Sequence, residues 1–182
     1  MPYILMTKQF KYLSYAFLIL ILQSCSVIDT KSSQHLDSKK TWALLPFQNH
    51  TTTPRAGEKI ESIVSTLLYT RGIQQLENYP VQNNSSSFPE LDDRHLQKRA
   101  LDWAKQNHIH YAVTGSVEEW RYKSGVGGEP VVGLSIRIIE INSGRTVWSA
   151  TGARTGWSSE SLTGTTQKLI RELLSSIDLS ND

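Results

Sequence analysis

Few side chains in this chain are spaced for chemistry. Cys25 is the only thiol among 182 residues; it can accept a carbon chain as a nucleophile, but alone it forms neither an internal disulfide nor a thiolate metal cluster. His108-x-His110 could hold a metal from a strand, yet no third ligand stands nearby, and polar residues at a turn and a strand end are the simpler reading. Asp92, Asp93 and His95 read as the N-cap and first-turn charge of a helix, favoured by its dipole. Glu118, Glu119 and Glu129 bracket a stretch read as a projecting hairpin, with Arg121 and Lys123 among them. They could gather positive charge or bridge neighbouring copies; as a merely solvated hairpin, each pair contributes only about 0–1 kcal/mol. No Gly-x-Ser-x-Gly elbow, Walker loop, dinucleotide fingerprint or His-Glu-x-x-His is present, nor a paired acid and base of the kind that hydrolyses a polysaccharide. These absences argue against an enzyme, although a scattered triad leaves no linear trace.

What surrounds Cys25 is more informative. Lys8 and Lys11 precede an apolar run from Tyr12 to Leu22, and Gln23 and Ser24 lead into the cysteine. An apolar core of about 7–15 residues suits an export signal, whereas a spanning helix needs roughly 20. Leu22-Gln23-Ser24-Cys25 further resembles the bacterial lipobox, which implies a diacylglycerol on the thiol, cleavage just before it and an acyl chain such as palmitate on the new amino terminus. An ordinary signal peptide with an incidental cysteine, or an uncleaved anchor, are the alternatives; the position of the single cysteine favours the lipobox. Several acyl chains, each contributing about 0.8 kcal/mol per buried CH₂, would hold a soluble domain at a bilayer. Ser26, rather than aspartate, after the cysteine implies routing to the outer membrane.

The expected organisation is therefore a signal peptide over 1–24, a lipidated amino terminus and flexible tether over 25–40, and one α/β domain over 41–182. Removing the leader from 182 residues leaves 158, enough for one domain with a real core. Lys8 and Lys11 leave with it, so 17 of the 19 basic residues remain to balance 17 acidic ones. A neutral total gives no basic face for nucleic acid.

Residues 26–40 are polar and read as a tether with a root-mean-square reach of about 20 Å and a stretched limit near 50 Å. Thr41 to Phe47 is nearly all apolar and too short for a helix, which predicts a strand buried on both faces and ended by Pro46. Thr53-Pro54 predicts an N-cap and first turn. Ala56, Ile60, Ile63, Val64, Leu67 and Leu68 then share one helical face up to Gly72. Ile73 to Leu76 reads as a short strand, Asn78 to Asp93 as a loop, and Leu96, Ala100, Trp103 and Ala104 as the face of a second helix. Alternation from Ile109 to Glu118 predicts a strand with one wet face. Val131 to Ile141 and Thr146 to Thr151 form a hairpin across Asn142-Ser143-Gly144-Arg145, and a last helix turns Leu162, Thr166, Leu169, Ile170, Leu173 and Ile177 inward. The fold class is an α/β sandwich of two or three layers, its mixed, partly antiparallel sheet having about five strands and three helices in the order β-α-β-α-β-β-β-α.

Trp42, Trp103 and Trp148 lie on elements with apolar partners and read as core, while Trp120 could pack between subunits. Trp157 lies between Gly156 and two serines in a loop, where an indole could enter a lipid interface; the alternative is a ring folded back over the last helix.

Trp42-Ala-Leu-Leu-Pro-Phe-Gln-Asn-His50 and Thr53-Pro-Arg-Ala-Gly57-Glu58 resemble the opening of small outer-membrane lipoproteins related to the curli secretion protein CsgG and the synthase activator LpoB. Ser116 to Gly125, Gly128-Glu-Pro130 and Trp148 to Trp157 narrow the resemblance to the PelC family, lipoproteins of the Pel exopolysaccharide secretion system of biofilm-forming bacteria. The likeness spans nearly the whole domain after residue 40, except 78–93. It implies a non-catalytic subunit with no cofactor beyond the lipid on Cys25. It further implies a ring of about twelve copies facing the periplasm beside a PelB-like β-barrel porin, whose acidic funnel draws in a cationic polysaccharide. Glu118, Glu119, Arg121 and Glu129 would then guide the polymer or join subunits, because carboxylates pooled around an axis raise the local concentration of a polycation. A competing expectation is a monomeric LpoB-like regulator reaching through peptidoglycan to a synthase, for which residues 26–40 make a short tether.

Overall fold

The computed structural model describes residues 26–32, 35–80, 93–125 and 127–180. The expected leader, Cys25 and most of the loop expected over 78–93 lie outside these residues.

Strand β3 (Trp42–Leu44) lies next to one edge of the sheet, and its residues are all buried, as their apolar run requires. Trp42 and Leu44 enter the main core; Ala43 and Leu45 enter a second, smaller core on the opposite face. Pro46 interrupts the strand, which resumes as β4 (Gln48–Asn49). Both segments run parallel to β6 (Tyr111–Tyr122), and Thr114 Oγ1 donates to the Pro46 carbonyl at 2.9 Å across the interruption. The main sheet has seven strands in the order β1-β8-β7-β6-β3-β5, with β4 also on β6. Here β5 is Leu76–Asn78, β7 Pro130–Glu140 and β8 Arg145–Thr155. Two more strands than expected appear because β1 and β4 are too polar or too short to show a pattern. The expected Ile73–Leu76 strand is instead shifted towards Asn78, and Ile73 packs in the core.

The tether is the main correction. Seven of its residues form β1 (Ser26–Ser32), antiparallel to β8 from Ser26 beside Arg154 to Ser32 beside Trp148. An edge strand needs backbone partners on one side only, and β8 supplies them; its Ile28 also packs against the main core. Further along, β2 (Leu36–Asp37) pairs in parallel with β9 (Leu179–Ser180), and Leu36 is fully buried.

Helices α1 (Ala56–Thr70) and α3 (Leu162–Leu174) cover one face of the sheet with apolar rows that include Ile60, Val64, Leu68, Leu169, Ile170 and Leu173. Helix α2 (Asp93–Gln106) covers the other face only near β3 and the start of β6, through Ala100 and Ala104. The domain is thus three layers deep at one side and two at the other. The uncovered sheet face carries Ser116, Ser135, Arg137, Ser149 and Thr151 around a hollow of about 370 Å³.

Helix ends follow from local chemistry. Thr53 does not cap α1: Arg55 does so in a left-handed conformation (φ 57) with no side-chain bond, while the Thr53 hydroxyl donates to the Trp120 carbonyl. At their far ends α1 and α2 close alike. Gly72 (φ 94) and His108 (φ 56) turn left-handed, the N–H groups of Ile73 and Ile109 return to Leu68 and Ala104, and both isoleucines are buried.

Candidate functional site at the end of the β6–β7 hairpin

Strand β6 continues past the expected end at Glu118 to Tyr122, so Glu118 and Glu119 lie in the ladder and not on a projecting loop. Val117 and Trp120 both face the main core although they stand three positions apart, which strict alternation forbids. A bulge resolves this: Val117 pairs with Leu134 and Glu119 with Gly133, leaving Glu118 as the extra residue. A Cβ at Gly133 would lie 3.4 Å from that of Glu119 and 3.7 Å from that of Glu118. The first carbons of both glutamate side chains therefore lie side by side against Gly133.

Each carboxylate has a partner on its own chain. The Ser116 hydroxyl donates to Glu118 at 2.6 Å and His50 Nδ1 approaches its other oxygen at 3.0 Å. These contacts, the hydroxyl first, hold the Glu118 carboxyl below its usual range. Arg121 reaches Glu119 at 2.6 Å, and Lys123 reaches Glu129 at 3.1 Å across the turn that the Lys123 N–H to Glu129 carbonyl bond closes. Among the carboxylates and the Arg and Lys side chains, three acids against two bases leave one formal negative charge per copy in this cluster.

Trp120, expected between subunits, is buried inside its own domain. Its Nε1 donates to Thr166 at 2.9 Å, and Lys59 Nζ lies 4.7 Å from the ring centroid. Trp42 and Trp148 are fully buried, whereas Trp103 is half-buried and meets Tyr79 edge-on. Trp157 is 53% exposed. At the same end of the sheet stands Tyr122, 50% exposed, which sequence reasoning missed because β6 was ended too early; its hydroxyl accepts the Leu162 N–H at 3.0 Å. The two histidines do not converge on a metal: His108 ends α2, the His110 ring packs edge-on against Tyr111, and no group of three metal-ligating residues occurs among the described residues. Asp93 begins α2, with Asp92 outside the described residues.

Sequence reasoning also passed over Glu61. Its Oε1 accepts the Phe47 N–H at 2.8 Å, locking α1 to the chain just after Pro46, and burial pushes its carboxyl above the usual range. A glutamate one position from the apolar row of α1 gives no sequence signal of this role.

These features define a small α/β domain with an open mixed sheet, an ion-paired hairpin and two exposed aromatics at one end. The PelC dodecamer from Paraburkholderia phytofirmans superposes with a TM-score of 0.73 at 35% identity, over 86% of this chain and 100% of that one. A single-substitution variant of that dodecamer, in another crystal form, gives a TM-score of 0.74 at 35% identity over the same shares of both chains. No protein-family model and no curated protein matches the chain. The chain belongs to the PelC family.

Proposed function

We propose that this protein is a non-catalytic, lipid-anchored subunit of a Pel-type exopolysaccharide export apparatus. It is held at the outer membrane through Cys25, faces the periplasm, and assembles into a ring of about twelve copies beside a PelB-like porin. The supporting observation is the 35% identity, over 86% of this chain and all of the other, to a protein that forms a dodecamer. Glu118, Glu119 and Glu129, with Arg121, would act through their sum: one net negative charge per copy becomes a strongly negative collar in a ring, whose pull on a cationic polymer weakens with salt. No helix among the described residues is long and apolar enough to cross a membrane.

The regulator reading loses ground because β1 takes seven residues out of the tether that a protein reaching through the cell wall would need. Light scattering and imaging of the acylated protein in lipid test the proposal. A ring mass near an order of magnitude above the monomer is expected; a monomer at every concentration in lipid would overturn it.

A further inference from the structure

Resting on the reading that Cys25 is lipidated, we propose that β1 acts as a rigid arm. It seats the acyl anchor beside the β6–β7 turn, so that Tyr122 enters the same bilayer interface as Trp157.

The argument is one of register. Ser26 stands beside Arg154, Arg154 beside Val132, and Val132 beside Trp120, so these four residues form one row across the sheet. One rung further out stand Thr155, Val131 and Arg121; one more brings Pro130 with Tyr122, and the Gly156 N–H on the Pro130 carbonyl at 2.8 Å. The Cα of Cys25 is bonded one peptide beyond Ser26, about 3.8 Å away. Strands lie about 4.8 Å apart and rise about 3.3 Å per residue, so the lipidated residue starts within about 20 Å of Tyr122 and within a few rungs of its height. The acyl chains and the exposed aromatics therefore leave the domain at the same end.

Three large hydrophobic residues are exposed among the described residues: Tyr69, Tyr122 and Trp157. Two of them lie at this end; Tyr69 lies near the far end of α1, which runs back towards the opposite end of the sheet. Tyrosine and tryptophan carry an apolar ring and a polar tip, the combination suited to headgroup depth in a bilayer. The β1 ladder gives the arm no slack. A free tether would let the domain tumble through about 20 Å, whereas seven paired residues with Ile28 packed on the core hold the strands at one orientation to the membrane.

The test uses the full-length, processed protein in phosphatidylethanolamine and phosphatidylglycerol vesicles containing shallow spin-labelled lipids. Tyr122→Cys and Tyr69→Cys each carry an environment-sensitive fluorophore. The label at 122 should be quenched severalfold more than the one at 69. Inserting about ten Gly and Ser residues between Cys25 and Ser26 leaves the domain intact but restores a reach of about 17 Å, and should bring the difference down sharply while the protein stays vesicle-bound. Equal quenching at the two positions in a lipidated, bound protein, or quenching at 122 indifferent to the insertion, would overturn the rigid arm and leave the export function standing. Mass spectrometry finding no acyl group on residue 25 would overturn both.

Discussion

Trp120 Nε1 donates to the Thr166 hydroxyl at 2.9 Å, and that hydroxyl donates in turn to the Leu162 carbonyl at 2.7 Å, joining the far half of β6 to the first turn of α3 inside the main core. Thr166→Val keeps the shape but leaves a buried indole N–H unpaired, which costs about 1–3 kcal/mol. Chemical denaturation should show that loss with the slope unchanged; an unaltered midpoint would mean the bond contributes nothing.

Glu61 makes stability depend on pH in the direction opposite to most carboxylates. Its folded carboxyl titrates above the ordinary value because it is buried. As pH rises past the ordinary range the unfolded chain gives up its proton first, so stability falls until the raised value is passed and is flat above it. Glu61→Gln keeps an oxygen for the Phe47 N–H and removes the charge. Its urea midpoint should equal or exceed the native one at neutral pH and vary less with pH. Glu61→Ala should lose about 1–3 kcal/mol by orphaning that N–H.

His108 occupies a left-handed position at the end of α2 (φ 56), where a Cβ is costly. His108→Gly should raise stability by about 1 kcal/mol. Thermal unfolding would show it, and a lower midpoint would mean the imidazole makes a contact that outweighs its strain.

Exchanging Glu118, Glu119 and Glu129 together for Gln should cut polymer export while leaving the fold intact, since each half-exposed pair contributes only about 0–1 kcal/mol. Export is read from secreted polysaccharide and integrity from circular dichroism. Unchanged export would remove the guiding role from these residues.

Trp157→Ala, in a soluble form starting after Cys25, should weaken liposome binding without moving the melting temperature, because its ring is half in solvent. Undiminished binding would place the indole outside the lipid interface.

The elements legible in sequence were those whose burial left a period. Thr41 to Phe47 read as a doubly buried strand, of which Trp42–Leu44 is one, and the inner faces of α1, α2 and α3 were assigned largely from spacing, although Ile177 is buried beyond the end of α3. Hidden features were those where the backbone, not the side chains, decides. β1 is polar apart from Val27 and Ile28, of which Ile28 packs against the core, so composition read it as linker. The bulge at Glu118 breaks the alternation that would have carried β6 to Tyr122, which moved two carboxylates off an imagined loop and concealed an exposed tyrosine. Thr53 looked like a cap and serves the Trp120 carbonyl instead, a pairing across 67 positions that no local pattern encodes. The identity of the family, by contrast, was carried by residue types in Trp42 to Glu58 and Ser116 to Trp157, and the structural likeness at 35% identity supports it.

The β2–β9 ladder has a consequence for biogenesis. Leu36 is fully buried, and its N–H reaches the Asp178 carbonyl at 2.9 Å, so one of the first segments of the domain is closed by one of the last. A chain emerging amino end first, from a ribosome or through a membrane pore, keeps that leucine uncovered until residues 178–180 arrive. Final closure of the domain therefore waits for delivery of nearly all of it.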